Sequence, residues 1–521
     1  MYPGTHARDH ADQAAFIMAS TGETVTYGEL EVRANRLAHL LVDHGLRRLD
    51  HYSIFMENND RYLESCAAGE RAGLYFTCVN SFLTAPELAY ILDNSESQVL
   101  ITSRACHKVA VDALRECPRV TLCLVVDGTG GTGDDEDGRV VDFETATAGL
   151  PGTPLANERL GTAMLYSSGT TGRPKGILRP LDEVTPEVRL PVFSFLDKLW
   201  GYRDGMTYLS PAPLYHSAPQ AAVNLAIRRG GTVVIMEKFD PESYLQLVER
   251  YAVTHTQLVP TMFSRMLKLP DAVRERYDLS SLEVAVHAAA PCPVPVKQQM
   301  IAWWGPRIVE YYGATEAIGF TACDSEEWLA HPGTVGRVLV GELHILDPLF
   351  EPVPVGTPGT MWFKPGTEFR YFNDVEKTAE STSPDGTMVT VGDIGYLDEE
   401  GYVYLTDRAT FMIISGGVNI YPQESENLLV THPKVADAAV FGIPHSDLGE
   451  EVKAVVQLMP GVEPSAETEA ELVDFCRRQL AHLKCPRSID FTAELPRLPT
   501  GKLYKRLLRD RYWGNTTSRI V

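Results

Sequence analysis

The 521-residue chain has no apolar run near the roughly 18–20 residues that cross a bilayer. Its first stretch, MYPGTHARDHADQ, lacks the charged-then-apolar order of a secretion signal. The sequence is therefore read as cytoplasmic, with no membrane span. Positive charge is also short: 47 Lys and Arg against 69 Asp and Glu leave a net charge of −22. Such a balance opposes nucleic acid or an anionic lipid surface as the main partner. The nine cysteines are odd in number, and no two have C-x-x-C spacing. They are expected to be reduced, packed thiols, not a disulfide framework or a zinc site.

What is present is an ordinary globular composition, 44% hydrophobic and 22% charged, in a chain long enough for about two to four domains. Strand-like and helix-like stretches alternate to about residue 340, which favours layered α/β sheets. Thr26 and Glu29 have capping-box spacing. Leu30, Ala34, Leu37, Ala38 and Leu41 follow at helical period, and Gly45 is a stop. Val99–Ile101 and 122–126 read as buried strands, and the acidic, glycine-rich 127–139 as a surface loop. From about 335 to 405, short strands with Gly/Pro turns suggest a small barrel-like β subdomain. After Asp407 a compact α+β unit is expected, with strands 435–443 and 452–458 and a helix 469–482. The division is 1–407 and 408–521.

Four stretches carry chemistry. In YSSGTTGRPKG, residues 166–176, small residues let backbone N–H groups face an anion, while hydroxyls and a lysine add donors and charge. Pro174 before Lys175 and Gly176 after it exclude the Walker ending. Taken alone, the stretch favours a phosphate role only slightly over a surface turn. YYGATE at 311–316 offers an aromatic face for a base, a glycine for close approach, a hydroxyl, and a carboxylate suited to Mg²⁺. Asp393 in TVGD and Arg408 in TDR suit a ribose and its phosphate. Lys502 follows a Pro/Gly turn in PTGK near the C-terminus. Each of these charged residues, in isolation, reads more readily as a solvated or surface-paired charge.

YSSGTTGRPKG, YYGATE, VGD, LTDR, ISGG and PTGK occur in the order and at about the separations of the ANL superfamily of acyl-adenylate-forming enzymes. The sequence strongly resembles that superfamily over roughly residues 10–512, and most of all its bacterial fatty-acyl and steroid-type CoA ligases. The resemblance implies ATP, Mg²⁺ and CoA as cofactor and co-substrates, with an apolar carboxylic acid as substrate. It further implies that Ser167, Ser168, Gly169, Thr170, Thr171, Gly172 and Lys175 hold the β- and γ-phosphates. The segment Ala288, Ala289, Ala290, Pro291 would line the adenine pocket, and Tyr312, followed by Gly313, would stack on the base. Thr315 would contact the α-phosphate and Glu316 would hold Mg²⁺. Asp393 and Arg408 would bind the ribose side, and Lys502 the carboxylate and bridging oxygens. Gly416 and Gly417 would line the thiol's tunnel after the small C-terminal domain swings.

At the hinge the sequence departs from the family: Thr410 stands where Asp or Lys is usual, and Phe411 replaces a charged residue. Phe411 could instead pack on the large domain. LYHSAP, 214–219, has no Asp for an α-ammonium, which disfavours an amino acid. With the motif match, His216 is placed beside the substrate carboxylate, although a packed or capping histidine is its reading in isolation. Loading of a carrier protein, a non-catalytic relative, and a homodimer stay open.

Overall fold

The structure is a computed structural model that describes residues 2–128, 138–167, 174–366, 369–408, 411–416, 418–497 and 503–513, the side chains of Asp407 and Arg408 excepted. Its contacts divide the chain into two units. One comprises Met1–Gln257, Tyr277–Ala285 and Arg370–Thr378. The other comprises Leu258–Arg276, Val286–Phe369 and Ala379–Val521.

The first unit is built on parallel strands. One sheet runs in the order Val140–Asp142, Leu122–Val126, Val99–Ser103, His51–Phe55, Tyr75–Cys78, Thr162–Ala163, and every neighbouring pair is parallel. Strands buried on both faces read as continuous apolar runs. Val99–Ser103 and Leu122–Val126 do so, as the sequence led us to expect. In the same unit Thr207–Ser210 pairs in parallel with Thr232–Ile235, which pairs in parallel with Ala14–Met18. The helix Tyr27–Asp43 begins at the expected capping box. The Glu29 amide donates to Thr26 Oγ1 at 3.2 Å, and the Thr26 amide donates to Glu29 Oε2 at 2.8 Å. Leu30, Ala34, Leu37, Ala38 and Leu41 all face the core.

In the second unit, short antiparallel strands follow one another as anticipated: Glu342–Leu346, Gly359–Lys364, Asp393–Leu397 and Val403–Arg408. They enclose Ile345, Met361, Phe363, Val389 and Val403. The C-terminal α+β part has a long hairpin, Val435–His445 with Gly449–Leu458, and Ser488–Thr492 lies parallel to its second strand. Both hairpin strands are longer than the sequence suggested. The helix differs more: it runs Ala466–Arg477, not 469–482. Ser465 caps it by accepting the Thr468 amide at 3.1 Å, and the chain after Arg478 breaks into a 3₁₀ turn, His482–Lys484.

None of the nine cysteines is in a disulfide, and eight are buried. Cys66 and Cys78 have their sulfurs 4.0 Å apart. Among the described residues no helix is long and apolar enough to cross a membrane.

Candidate active site

The residues singled out in the sequence fall in both units. In the first unit, Leu165–Ser167 and Lys175–Ile177 form an antiparallel pair in which Ser167 faces Lys175. Ser168, Gly169, Thr170, Thr171 and Gly172 lie outside the described residues, but the flanks of their segment are well braced. Helix Ala85–Asn94 supplies Tyr90, whose hydroxyl donates to Pro174 O at 3.2 Å, and Asn94, whose Oδ1 accepts from Tyr166 at 2.6 Å. Gly176 O accepts the Phe372 amide at 2.8 Å. The Lys175 side chain is buried with its ammonium 5.1 Å from the Tyr371 ring centroid, a cation–π distance. The hairpin therefore presents the ends of the glycine-rich segment at a fixed separation.

His216 is half-buried at the start of helix Ser217–Arg228, and its side chain does not cap that helix. Its ring lies 4.3 Å from that of Tyr215. The turn before it is held by Asn58, a buried residue the sequence reading missed. Asn58 Nδ2 donates to Ala212 O at 3.2 Å and to Met236 O at 2.9 Å, and its Oδ1 accepts the Leu214 amide at 2.9 Å. One side-chain amide thus uses both its donor and acceptor ends to fix the backbone leading into His216.

In the second unit, YYGATE begins on strand Ile308–Gly313, antiparallel to Phe320–Cys323. The Tyr311 and Phe320 rings stack at 5.0 Å, and Tyr312 lies stacked near Phe363 at 6.5 Å. A Cβ on Gly313 would come within 3.1 Å of the Phe320 ring, so this position has little room for a side chain. Thr315 and Glu316 sit half-buried on the turn that follows. One carboxylate in this place suits Mg²⁺, which keeps several waters and takes other ligands from substrate phosphates.

Tyr312 and Asp393 are brought together: the phenol donates to Asp393 Oδ2 at 2.7 Å. Asp393 begins its strand after a turn at Gly392, whose φ is +81°. It faces Arg408 across the ladder. Platform, acidic acceptor and arginine backbone therefore form one connected edge. The segment Ala288, Ala289, Ala290, Pro291 leaves strand Val284–His287 with Ala289 at φ +75°, a left-handed conformation that costs a side-chain-bearing residue energy.

Behind this edge lies a second group that the sequence reading missed. Lys297 Nζ is 2.5 Å from Glu310 Oε2, and His287 Nε2 is 3.4 Å from the same oxygen. All three side chains are buried. Burial, aided by the Lys297 charge, holds the His287 imidazole well below its ordinary pKa, hence neutral. Burial also lifts the Glu310 carboxyl, against the opposing pull of Lys297. The available signal was an acidic residue at an inward-facing position of an otherwise apolar strand. His287 is fully enclosed, edge-on to Phe263.

Lys502, Gly417 and Thr410 lie outside the described residues, and Gly416 has φ +57° in the turn after strand Ile413–Ser415. The Phe411 ring takes the Lys505 ammonium at 5.2 Å, and Lys505 pairs with Glu426 at 2.8 Å. That contact is within the C-terminal part, where the sequence had left packing on the large domain as an option.

Comparison with known proteins decides the family. The model of the AMP-binding enzyme family matches residues 4–369, and that of the AMP-binding enzyme C-terminal domain matches 424–502. The chain belongs to the AMP-binding enzyme family. A feruloyl-CoA synthase of an Amycolatopsis species is 34% identical over 94% of each chain. A fatty acid–[acyl-carrier-protein] ligase, ScoC, of Streptomyces coeruleorubidus is 30% identical over 96% of this chain and 94% of its own. The solved structure of ATP-bound MatB from Rhodopseudomonas palustris matches with a TM-score of 0.79 and 28% identity, covering 98% of this chain and 99% of that one. The expected fold and class are thereby borne out: this AMP-binding enzyme is an AMP-forming carboxylate–CoA ligase using ATP, Mg²⁺ and CoA.

Proposed function

We propose that this AMP-binding enzyme activates an apolar carboxylic acid, fatty, aromatic or steroid-like, as its acyl-adenylate and passes the acyl group to free CoA. The observation that carries the residue assignment is the Tyr312–Asp393 hydrogen bond. It joins the residue matched to base stacking with the one matched to the ribose. In the first half-reaction a carboxylate oxygen attacks the α-phosphorus and the bond to pyrophosphate breaks. Ser167 to Lys175 receive the leaving phosphates, Thr315 contacts the α-phosphate, Asp393 and Arg408 hold the ribose side, and Lys502 and His216 orient the carboxylate. These residues align two anions that would otherwise repel. Mg²⁺, held by Glu316, would supply charge at the developing phosphorane. In the second half-reaction the CoA sulfur attacks the acyl carbon, the thiol gives up its proton, and AMP leaves. Gly416 and Gly417 line the arm's path.

We place the domain boundary at 407/408, with the C-terminal domain moving between half-reactions about Thr410. The enzyme is assigned to the cytoplasm, and a homodimer is the assembly to test by sedimentation. The apolar character of the substrate rests on LYHSAP, which offers no acidic partner for an ammonium. The ScoC relative, named for a carrier-protein acceptor, favours carrier loading as the second reading.

A panel of carboxylates, followed by pyrophosphate release with and without CoA, tests the proposal. Thioester formed on free CoA from an apolar acid is expected. Release with no CoA thioester favours the carrier reading, and no release with any acid defeats both.

A further inference from the structure

The Glu310 carboxylate stands where three segments meet. His287 is the last residue before Ala288–Pro291, Lys297 lies on the helix Val294–Trp304 that follows that segment, and Glu310 is two residues before Tyr312 on its strand. The helix that follows the adenine-lining segment is thus tied to the Tyr312 strand by the Lys297–Glu310 pair at 2.5 Å, and His287 Nε2 lies 3.4 Å from the same oxygen without a hydrogen bond. The cluster is closed from outside. The Lys297 ammonium lies 4.7 Å from the buried Trp328 ring, and His287 packs edge-on against Phe263 at 5.3 Å. Neither ring nitrogen of His287 has a hydrogen-bond partner among the described residues, so this ring contributes packing. A buried ion pair is a poor source of stability, because apolar residues of similar volume commonly do as well or better. What it offers is a fixed distance. The adenine-lining segment needs one, since it passes through a left-handed alanine, Ala289.

We propose that Glu310 and Lys297 act as a pair of positioning residues that fixes the gap between the adenine-lining segment and the Tyr312 strand. Neither touches the nucleotide; they set the slot into which the base slides. The inference rests on reading this edge as the nucleotide site.

The test uses the full chain and the double variant Lys297→Met/Glu310→Leu, which removes both charges while keeping bulk. AMP binding is measured by titration calorimetry, and KM values by pyrophosphate release. Expected are an unfolding midpoint at or above that of wild type, an AMP Kd raised about tenfold, a similarly raised KM for ATP, and an unchanged KM for the carboxylate. A general structural defect would move both KM values and lower the midpoint. A folded double variant that binds AMP like wild type overturns the proposal. If the double variant does not fold, Lys297→Met decides, because it breaks the pair and keeps the bulk: AMP binding weakened about threefold supports the proposal, and unchanged binding overturns it. Wild type that fails to bind AMP defeats the nucleotide reading and this inference together. Wild type that binds AMP but releases no pyrophosphate defeats only the ligase reading.

Discussion

Replacing Tyr312 with Phe keeps a ring for the base and removes only the hydroxyl that reaches Asp393 Oδ2 at 2.7 Å. A hydrogen bond to a charged group contributes about 1.5–3 kcal/mol. Asp393 is 7% exposed while Tyr312 is half-buried, so water replaces part of the lost contact. The lower end, about 1–1.5 kcal/mol, is the reasoned cost, which corresponds to roughly a five- to tenfold loss. It should fall on ATP: KM for ATP rises by that factor, KM for the carboxylate stays put, and kcat changes less than about threefold. Pyrophosphate release under varied ATP and varied acid separates these constants. Tyr312→Ala also loses the stacking surface and should lose more. A Phe variant with wild-type KM for ATP would refute the reasoning, since the hydroxyl would then play no part in holding the ribose acceptor.

Lys502→Ala should abolish acyl-adenylate formation yet spare thioester formation from supplied acyl-adenylate; equal loss of both, read by quenched-flow chromatography, contradicts domain alternation. Ala289→Gly relieves a left-handed residue worth roughly 1 kcal/mol but loosens the unfolded chain by a similar amount. Its denaturation midpoint should therefore stay level or rise slightly, while Ala289→Val lowers it. Glu64, buried beside Arg61 and Arg33, has its carboxyl raised by burial to about 7. The folded state then holds this proton more tightly than the unfolded one, so the contribution of Glu64 to stability is full below about pH 4.5 and is lost as pH rises through 7, by on the order of 3 kcal/mol. Thermal midpoints of Glu64→Gln measured against pH should show this particular decline removed; curves parallel to wild type would contradict it.

What the sequence made legible was local or repeated. Thr26 and Glu29 announce their helix because a capping box needs only three residues' spacing. YYGATE and TVGD announce the site because their chemistry lies within each motif. Ser465 was passed over as a cap, which shifted the expected C-terminal helix along the chain. Asn58 was invisible for a different reason: its partners Ala212 and Met236 lie 154 and 178 residues away, and only the folded sheet brings them near. Glu310 and Lys297 looked like ordinary charges, because sequence alone does not reveal that both are enclosed.

The enclosed cysteines have a practical consequence at the bench. Burial lifts the thiols of Cys106 and Cys117 to about 11 and those of Cys323 and Cys476 to about 12, and it raises Cys66, Cys292 and Cys485 as well. Reagents that trap thiolates therefore meet little reactive sulfur on the folded protein. In a reaction mixture, the colour such a reagent develops comes from free CoA, and its disappearance follows thioester synthesis directly, with hardly any protein blank to subtract. The same reagent, added with denaturant and no CoA, would count nine sulfurs as the chain opens, so one chemistry reports turnover in one buffer and unfolding in another.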